Sequence, residues 1–152
     1  MVVRVVPRAE MRRDRLLHRA VSIAVFGTDG RLLVHRRAAT KDIWPAYWDI
    51  AAGGVVASGE SYDDAAAREL AEELGVEGVL LEHLGGGRYT DDAVDEFAHC
   101  YRCECDGPFL FADGEVDEAR WVDARELADL MAAEPFTPDS VALLLPRIAP
   151  FL

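Results

Sequence analysis

At 152 residues the chain has room for one domain that buries about two-thirds of its unfolded surface, and none for a second. With 51% hydrophobic and 29% charged residues it is neither disordered nor membrane-spanning, since no apolar run approaches ~18 residues. A net charge of −12 argues against a nucleic-acid polymer as partner, because a basic face would need strong clustering to survive that balance.

The N-terminus, MVVRVVPRAEMRRDR, has a short apolar stretch followed by arginines, the reverse of a secretory signal, which points to a cytoplasmic protein. Val2 to Val6 reads as a short strand, and Pro7 starts a helical turn through Met11. His18 to Phe26 and Leu32 to Arg36 read as strands joined at Thr28-Asp29-Gly30, a central hairpin covered on both sides. His18 and His35 have no partner at ligand spacing and read as ordinary polar positions. The loop from Arg36 to Gly54 is long and irregular, as functional loops are. In it Trp44, Tyr47 and Trp48 either pack as a satellite core or line a pocket. Arg37 and Lys41 supply the cations that diphosphate binding requires.

Ser61 reads as the N-cap of a helix that starts at Tyr62 and closes at Gly75. Glu69, Glu72 and Glu73 share one face of it, with Glu60 just before the cap and Arg68 able to pair with one of the acids. Like charges at that spacing repel by roughly 0.2–0.5 kcal/mol per pair, so helix stability alone does not account for them. A hard divalent cation, Mg²⁺ or Mn²⁺, suits such clustered carboxylates and removes the repulsion.

Beyond the helix, Val79 to Leu84 reads as a strand that Gly85-Gly86-Gly87 interrupts. Asp91, Asp92, Asp95 and Glu96 read as a solvated acidic loop, and Phe97 to Cys105 as the next strand. His99, Cys100, Cys103 and Cys105 lack the second cluster of a zinc site, so the cysteines read as small buried hydrophobes in a reducing compartment. A turn at Ala112-Asp113-Gly114 leads through Glu115 and Glu118 to a strand at Ala119 to Val122. Asp123 caps a helix to about Ala133, and Pro138 with Asp139 begins a terminal helix around Val141 to Leu145, interrupted near Pro146.

Residues 54 to 76 resemble the Nudix box, G-x(5)-E-x(7)-R-E-U-x-E-E-x-G-U with U apolar. They match it at Gly54, Glu60, Arg68, Glu69, Leu70, Glu72, Glu73, Gly75 and Val76. The resemblance, over roughly residues 15 to 135, implies one domain of α/β class, the Nudix α/β/α sandwich with a central mixed sheet. It implies a Mg²⁺-dependent pyrophosphohydrolase cleaving the diphosphate linkage of a nucleoside diphosphate joined to another moiety. Glu69, Glu72, Glu73 and the Gly53 carbonyl would hold metal, and Glu115 or Glu118 would complete the set. One of the helix glutamates, or Glu60, would take the proton of the attacking water while Arg68 orients a carboxylate. The partner implied is a small diphosphate compound, and a homodimer is common in the family.

The segment R-R-A-x-[ST]-K-x-x-W-P-x-x-W also resembles the one before the box in type 1 isopentenyl diphosphate isomerases, where the residues matching Arg37 and Lys41 hold diphosphate. Trp44 and Trp48 would then border the substrate. Gly53 stands where those isomerases carry their catalytic cysteine, and they degrade the box that this chain keeps whole. The expectation is an isomerase-like hydrolase branch, with an isomerase or a non-catalytic nucleotide sensor as the alternatives.

Overall fold

The stretch LHRAVSIAVF, with Val21, Ile23 and Val25 at alternate positions, becomes the strand on which the sheet is assembled, β1 (Leu17–Phe26). The computed structural model describes every residue except 1, 3 and 113. Along its whole length β1 pairs in parallel with β6 (Asp95–Glu104), from Leu17 opposite Asp95 to Phe26 opposite Glu104. Its other edge pairs antiparallel with β4 (Ala52–Val55), Ser22 lying opposite Gly53. β5 (Glu82–Thr90) extends this half antiparallel to β6. β2 (Leu32–Arg37) meets β1 only at Phe26 opposite Leu32, then diverges to pair with β3 (Trp48–Asp49) and β7 (Val116–Val122). The hairpin expected at Thr28-Asp29-Gly30 therefore exists only at its tip, because β4 occupies the edge of β1 that β2 would have taken.

Alternation along β1 sends its side chains into two cores. Val21, Ile23 and Val25 pack with Ala65, Ala66, Leu70 and Leu74 of the helix α2 (Tyr62–Leu74). Ala24 and Phe26 face the other way, against Leu127 and Leu130 of α3 (Ala124–Ala133), with Leu144 and Ile148 beyond. A mixed sheet between helices is the α/β/α sandwich that the resemblance implied. Helix ends match their caps: Ser61 Oγ accepts the Asp64 N–H at 3.1 Å, and Gly75 is left-handed at φ 68°. Asp123 and Glu126 form a reciprocal capping box at the start of α3. The terminal helix is split into α4 (Pro138–Leu143) and α5 (Leu145–Ile148), as Pro146 requires of the turn before it.

Several expectations are corrected. Val2 and residues 4 to 6 form no strand, having no sheet edge to join, and Val3 lies outside the described residues, as does Asp113 of the expected turn. Pro7 is the N-cap of a longer helix, α1 (Arg8–Arg13). β5 starts at Glu82 and runs through Gly85, Gly86 and Gly87, the irregularity being absorbed as a register shift between His83 and Gly86. The long loop ends in β3 and β4. Asp95 and Glu96 are not solvated: both are buried in β6, Asp95 gripped by two Arg88 hydrogen bonds of 2.9 and 2.8 Å. Cys100 and Cys103 are buried on opposite faces of the sheet.

Trp48 is also corrected. It is 1% exposed, stacked on Phe136 at 6.5 Å between centroids, and belongs to the core under α3 and α5. Trp48→Ala should lower the unfolding free energy by about 3–5 kcal/mol, as deletion of a fully buried indole does. Urea unfolding of the two proteins measures it, and a loss below about 1 kcal/mol would contradict the core placement.

Candidate active site

Arg68 collects the acids of the box. Its Nε and Nη2 donate to the two oxygens of Glu60 at 2.7 and 2.9 Å, and Nη1 donates to Glu69 at 2.8 Å and Glu72 at 3.1 Å. Nη2 also reaches the Val55 carbonyl at 3.1 Å, tying α2 to β4. Glu60 additionally accepts the Ala57 N–H at 3.0 Å. The Arg68 pairing, followed by that backbone bond, pulls the Glu60 carboxyl down to about 2. Both Glu60 oxygens are thus engaged, by Arg68 and by the Ala57 N–H.

The glycines before the helix are required by close approach. A β-carbon on Gly54 would lie 2.4 Å from a Glu69 oxygen, and one on Gly53 would lie 2.1 Å from the Val21 carbonyl oxygen. Backbone closes Gly53 to any side chain, whereas a side chain at Gly54 would push the Glu69 carboxylate out of place. The Gly53 N–H donates to Glu73 Oε2 at 2.9 Å. Burial pushes Glu73 up to about 8, the Gly53 bond opposing it and the charges of Asp49 and Glu69 adding to it. Burial raises Glu69 as well, against the pull of Arg68. Glu72 is the exposed member of the three.

His35 was missed from the sequence. It is buried on β2 with Nε2 3.8 Å from Glu73 Oε1, and burial lowers its pKa, so the ring is neutral there. No local spacing signals this contact, because the sheet alone brings β2 up to the end of α2.

The four glutamates are thus brought together, but among the described residues no three acid, histidine or cysteine side chains converge as a ready metal shell. Arg68 supplies the nearby positive charge. The donor set nevertheless fits a hard cation: every group is a carboxylate oxygen, and a carboxyl as starved of positive charge as Glu73 gains most from one.

The cations expected to hold diphosphate arrive by different routes. A register shift between Arg36 and Arg37 re-aims Arg37 into the cleft beside the box, where Nη2 donates to the Ile43 carbonyl at 2.9 Å and Nε has no partner among the described residues. Lys41 pairs directly with Glu115, so one expected phosphate ligand and one expected metal ligand hold each other. Glu118 turns outward to Arg120 at 2.5 Å. Trp44, unlike Trp48, lines the cleft, with a backbone φ of 47° that is uncommon for a bulky residue. From Gly53, Gly54 and Glu73 the cleft continues along β1 to Glu96 and Asp139.

The NUDIX domain family model matches residues 16–144, and the chain belongs to the Nudix hydrolases, which act on pyrophosphate bonds. The uncharacterized Nudix hydrolase PA4841 of Pseudomonas aeruginosa is 40% identical over 141 residues, 91% of this chain and 82% of that one. The crystal structure of DR0079 from Deinococcus radiodurans superposes with TM-score 0.69 at 28% identity, over 80% of this chain and 77% of that one. The NUDIX domain of Shewanella oneidensis NrtR, complexed with ADP ribose, shares the fold with TM-score 0.69 at 18% identity, over 95% of this chain and 97% of that one.

The acid on Glu73 has a consequence for stability. Its native value of about 8 lies above the ordinary 4.5, so between those values the folded protein holds a proton that the unfolded chain gives up. Stability of the metal-free protein should therefore fall as pH rises from about 4.5 to about 8, and Glu73→Gln should flatten that slope. Urea midpoints of EDTA-treated protein across this range decide it; equal slopes in both proteins would contradict the assignment.

Proposed function

We propose that the chain is a single-domain, Mg²⁺-dependent pyrophosphohydrolase of the cytoplasm, cleaving the diphosphate linkage of a nucleoside diphosphate joined to another moiety. The observation that carries this reading is the gathering of Glu60, Glu69 and Glu72 around Arg68, with Glu73 on the Gly53 N–H beside them, at a cleft that also holds Arg37, whose Nε has no partner among the described residues. The ADP ribose seen on the NrtR domain is consistent with a nucleotide-linked substrate. Free, buried Cys100 and Cys103 accord with a reducing compartment.

Glu69, Glu72 and Glu73, with the Gly53 carbonyl and Glu115, would hold the cation. When bound, it supplies positive charge to the phosphate oxygens and acidifies water. The chain's own residues do the rest. Water adds to phosphorus as the bridging P–O bond breaks, and its proton passes to Glu72, which among the described residues is hydrogen-bonded only by Arg68. Arg37 and Lys41 neutralise the departing phosphate, Lys41 exchanging Glu115 for it. Glu60 keeps Arg68, and through it Glu69 and Glu72, in place.

The loop from Arg36 to Trp48 supports an isomerase-like hydrolase branch. An isomerase itself is disfavoured, since the cysteine it needs at position 53 has no space for a β-carbon.

In a panel of diphosphate compounds with Mg²⁺, release of phosphate or nucleoside monophosphate should appear for nucleotide-linked members and vanish with EDTA. Glu72→Gln should lower kcat by a factor on the order of 100 or more, with the thermal midpoint unchanged because that side chain is exposed. Near-normal turnover in the variant would remove the role given to Glu72.

A further inference from the structure

The inner end of the cleft carries polar groups that diphosphate cleavage does not use. His18 and Glu96 lie opposite one another across the β1–β6 pairing, Nε2 of one 3.7 Å from Oε2 of the other. Asp139, in the first turn of α4, faces Glu96 and is hydrogen-bonded to it. The floor between them and Gly53 is made of Ala20, Ser22 and Ala98, side chains too small to fill it.

Two carboxyls in contact inside a protein do not both ionise. Burial first, then the Asp139 bond and charge, keep a proton on Glu96 far above the ordinary carboxyl range. His18 does not neutralise the pair: its Nδ1 lies 3.0 Å from the Leu16 carbonyl and donates to it, and burial keeps the ring uncharged. Arg12 lies close enough to favour one negative charge, and Asp49 is already engaged by Ser140 Oγ at 2.8 Å and the Ala51 N–H at 3.0 Å. One Asp139 oxygen accepts the Ser140 N–H at 2.8 Å. The pair therefore presents a donor and an acceptor side by side. An independent feature points to a ligand here: Thr137, which also lines the cleft, is 1% exposed and its Oγ1 has no partner among the described residues, as is true of Ser22 Oγ on the floor. Buried hydroxyls without partners are costly.

Resting on the hydrolase reading above, we propose that Glu96, Asp139 and Thr137 form the pocket for the base of the nucleotide, binding a flat heterocycle through adjacent hydrogen-bond donor and acceptor atoms. Trp44 and Ile43 line the same cleft and give the heterocycle an apolar face. The distance fits too. Gly53 is level with Ser22 and Glu96 with His18, four residues and so about 13 Å along β1, the span of a nucleotide from base edge to diphosphate. A cationic group would meet Arg12, which lines the same cleft.

The test is calorimetric binding, in Mg²⁺, of the α,β-methylene analogues of adenosine, guanosine, cytidine and uridine diphosphates, with methylenediphosphonate as the baseless control. At least one analogue should bind the native protein more tightly than the control by a factor of about 10 or more. Glu96→Leu and Asp139→Ala should each weaken that analogue about 10-fold or more while leaving the control within about threefold, which also shows the variants are folded. Glu96→Gln keeps a neutral donor and an acceptor and should stay within about threefold of the native protein. No preference over the control, unaltered affinity in Glu96→Leu and Asp139→Ala, or a loss in Glu96→Gln equal to that in Glu96→Leu would each overturn the proposal. Binding of these analogues needs no cleavage, so failure of the hydrolase reading shows separately, as absent turnover of the ordinary diphosphates.

Discussion

Confinement of negative charge by one guanidinium is the interaction on which the rest of this structure depends. Arg68 holds both oxygens of Glu60, one each of Glu69 and Glu72, and the Val55 carbonyl, joining the loop, the helix and β4 at a single point. A lysine, with one compact charge and no planar fork, could not span them. The two glycines that precede the helix complete the constraint from below. Gly54 lets the Glu69 carboxylate lie against the backbone, and Gly53 lets β4 close on β1 while its N–H holds Glu73. The result is a set of carboxylates kept close by the fold, with less positive charge nearby than they would take. That is the condition under which a divalent cation is worth most.

The cleft is polarised along β1. At one end Glu73 shares the cleft with Arg37 and feels the charge of Lys41, groups suited to a diphosphate. At the other, Glu96 and Asp139 lie together over a floor of small side chains, where burial and their mutual contact raise the Glu96 carboxyl. The two ends are built from opposite edges of the same strand, β4 on one side and β6 on the other. The parallel β1–β6 pairing thus decides which acid lies beside the box and which lies remote from it.

What the sequence reveals and what it hides follow the range of the interactions. Ser61, Asp123 and Gly75 act within one helical turn, and all three caps stand where local patterning put them. The grouping of Glu69, Glu72 and Glu73 is likewise a matter of helical spacing. Trp48 and Trp44, four residues apart, looked alike, yet pairing of β3 with β2 buries the first while the loop leaves the second in the cleft. Asp95 and Glu96 looked like solvated acids because nothing local shows that β6 is central. His35 looked ordinary because its neighbour Glu73 is brought to it only by the finished sheet. The glycine triplet looked like a break, but with Arg88 anchoring the strand to Asp95 it continues as β5.

The central claim is that the carboxylates on α2 exist to hold a divalent cation against a diphosphate. Anomalous diffraction from crystals soaked with Mn²⁺ and an α,β-methylene nucleoside diphosphate tests it most directly. The account predicts a manganese peak within about 2.3 Å of oxygens from Glu69, Glu72 or Glu73, beside the analogue's phosphates. A peak elsewhere, with those three side chains still bound to Arg68 and the Gly53 N–H, would contradict it.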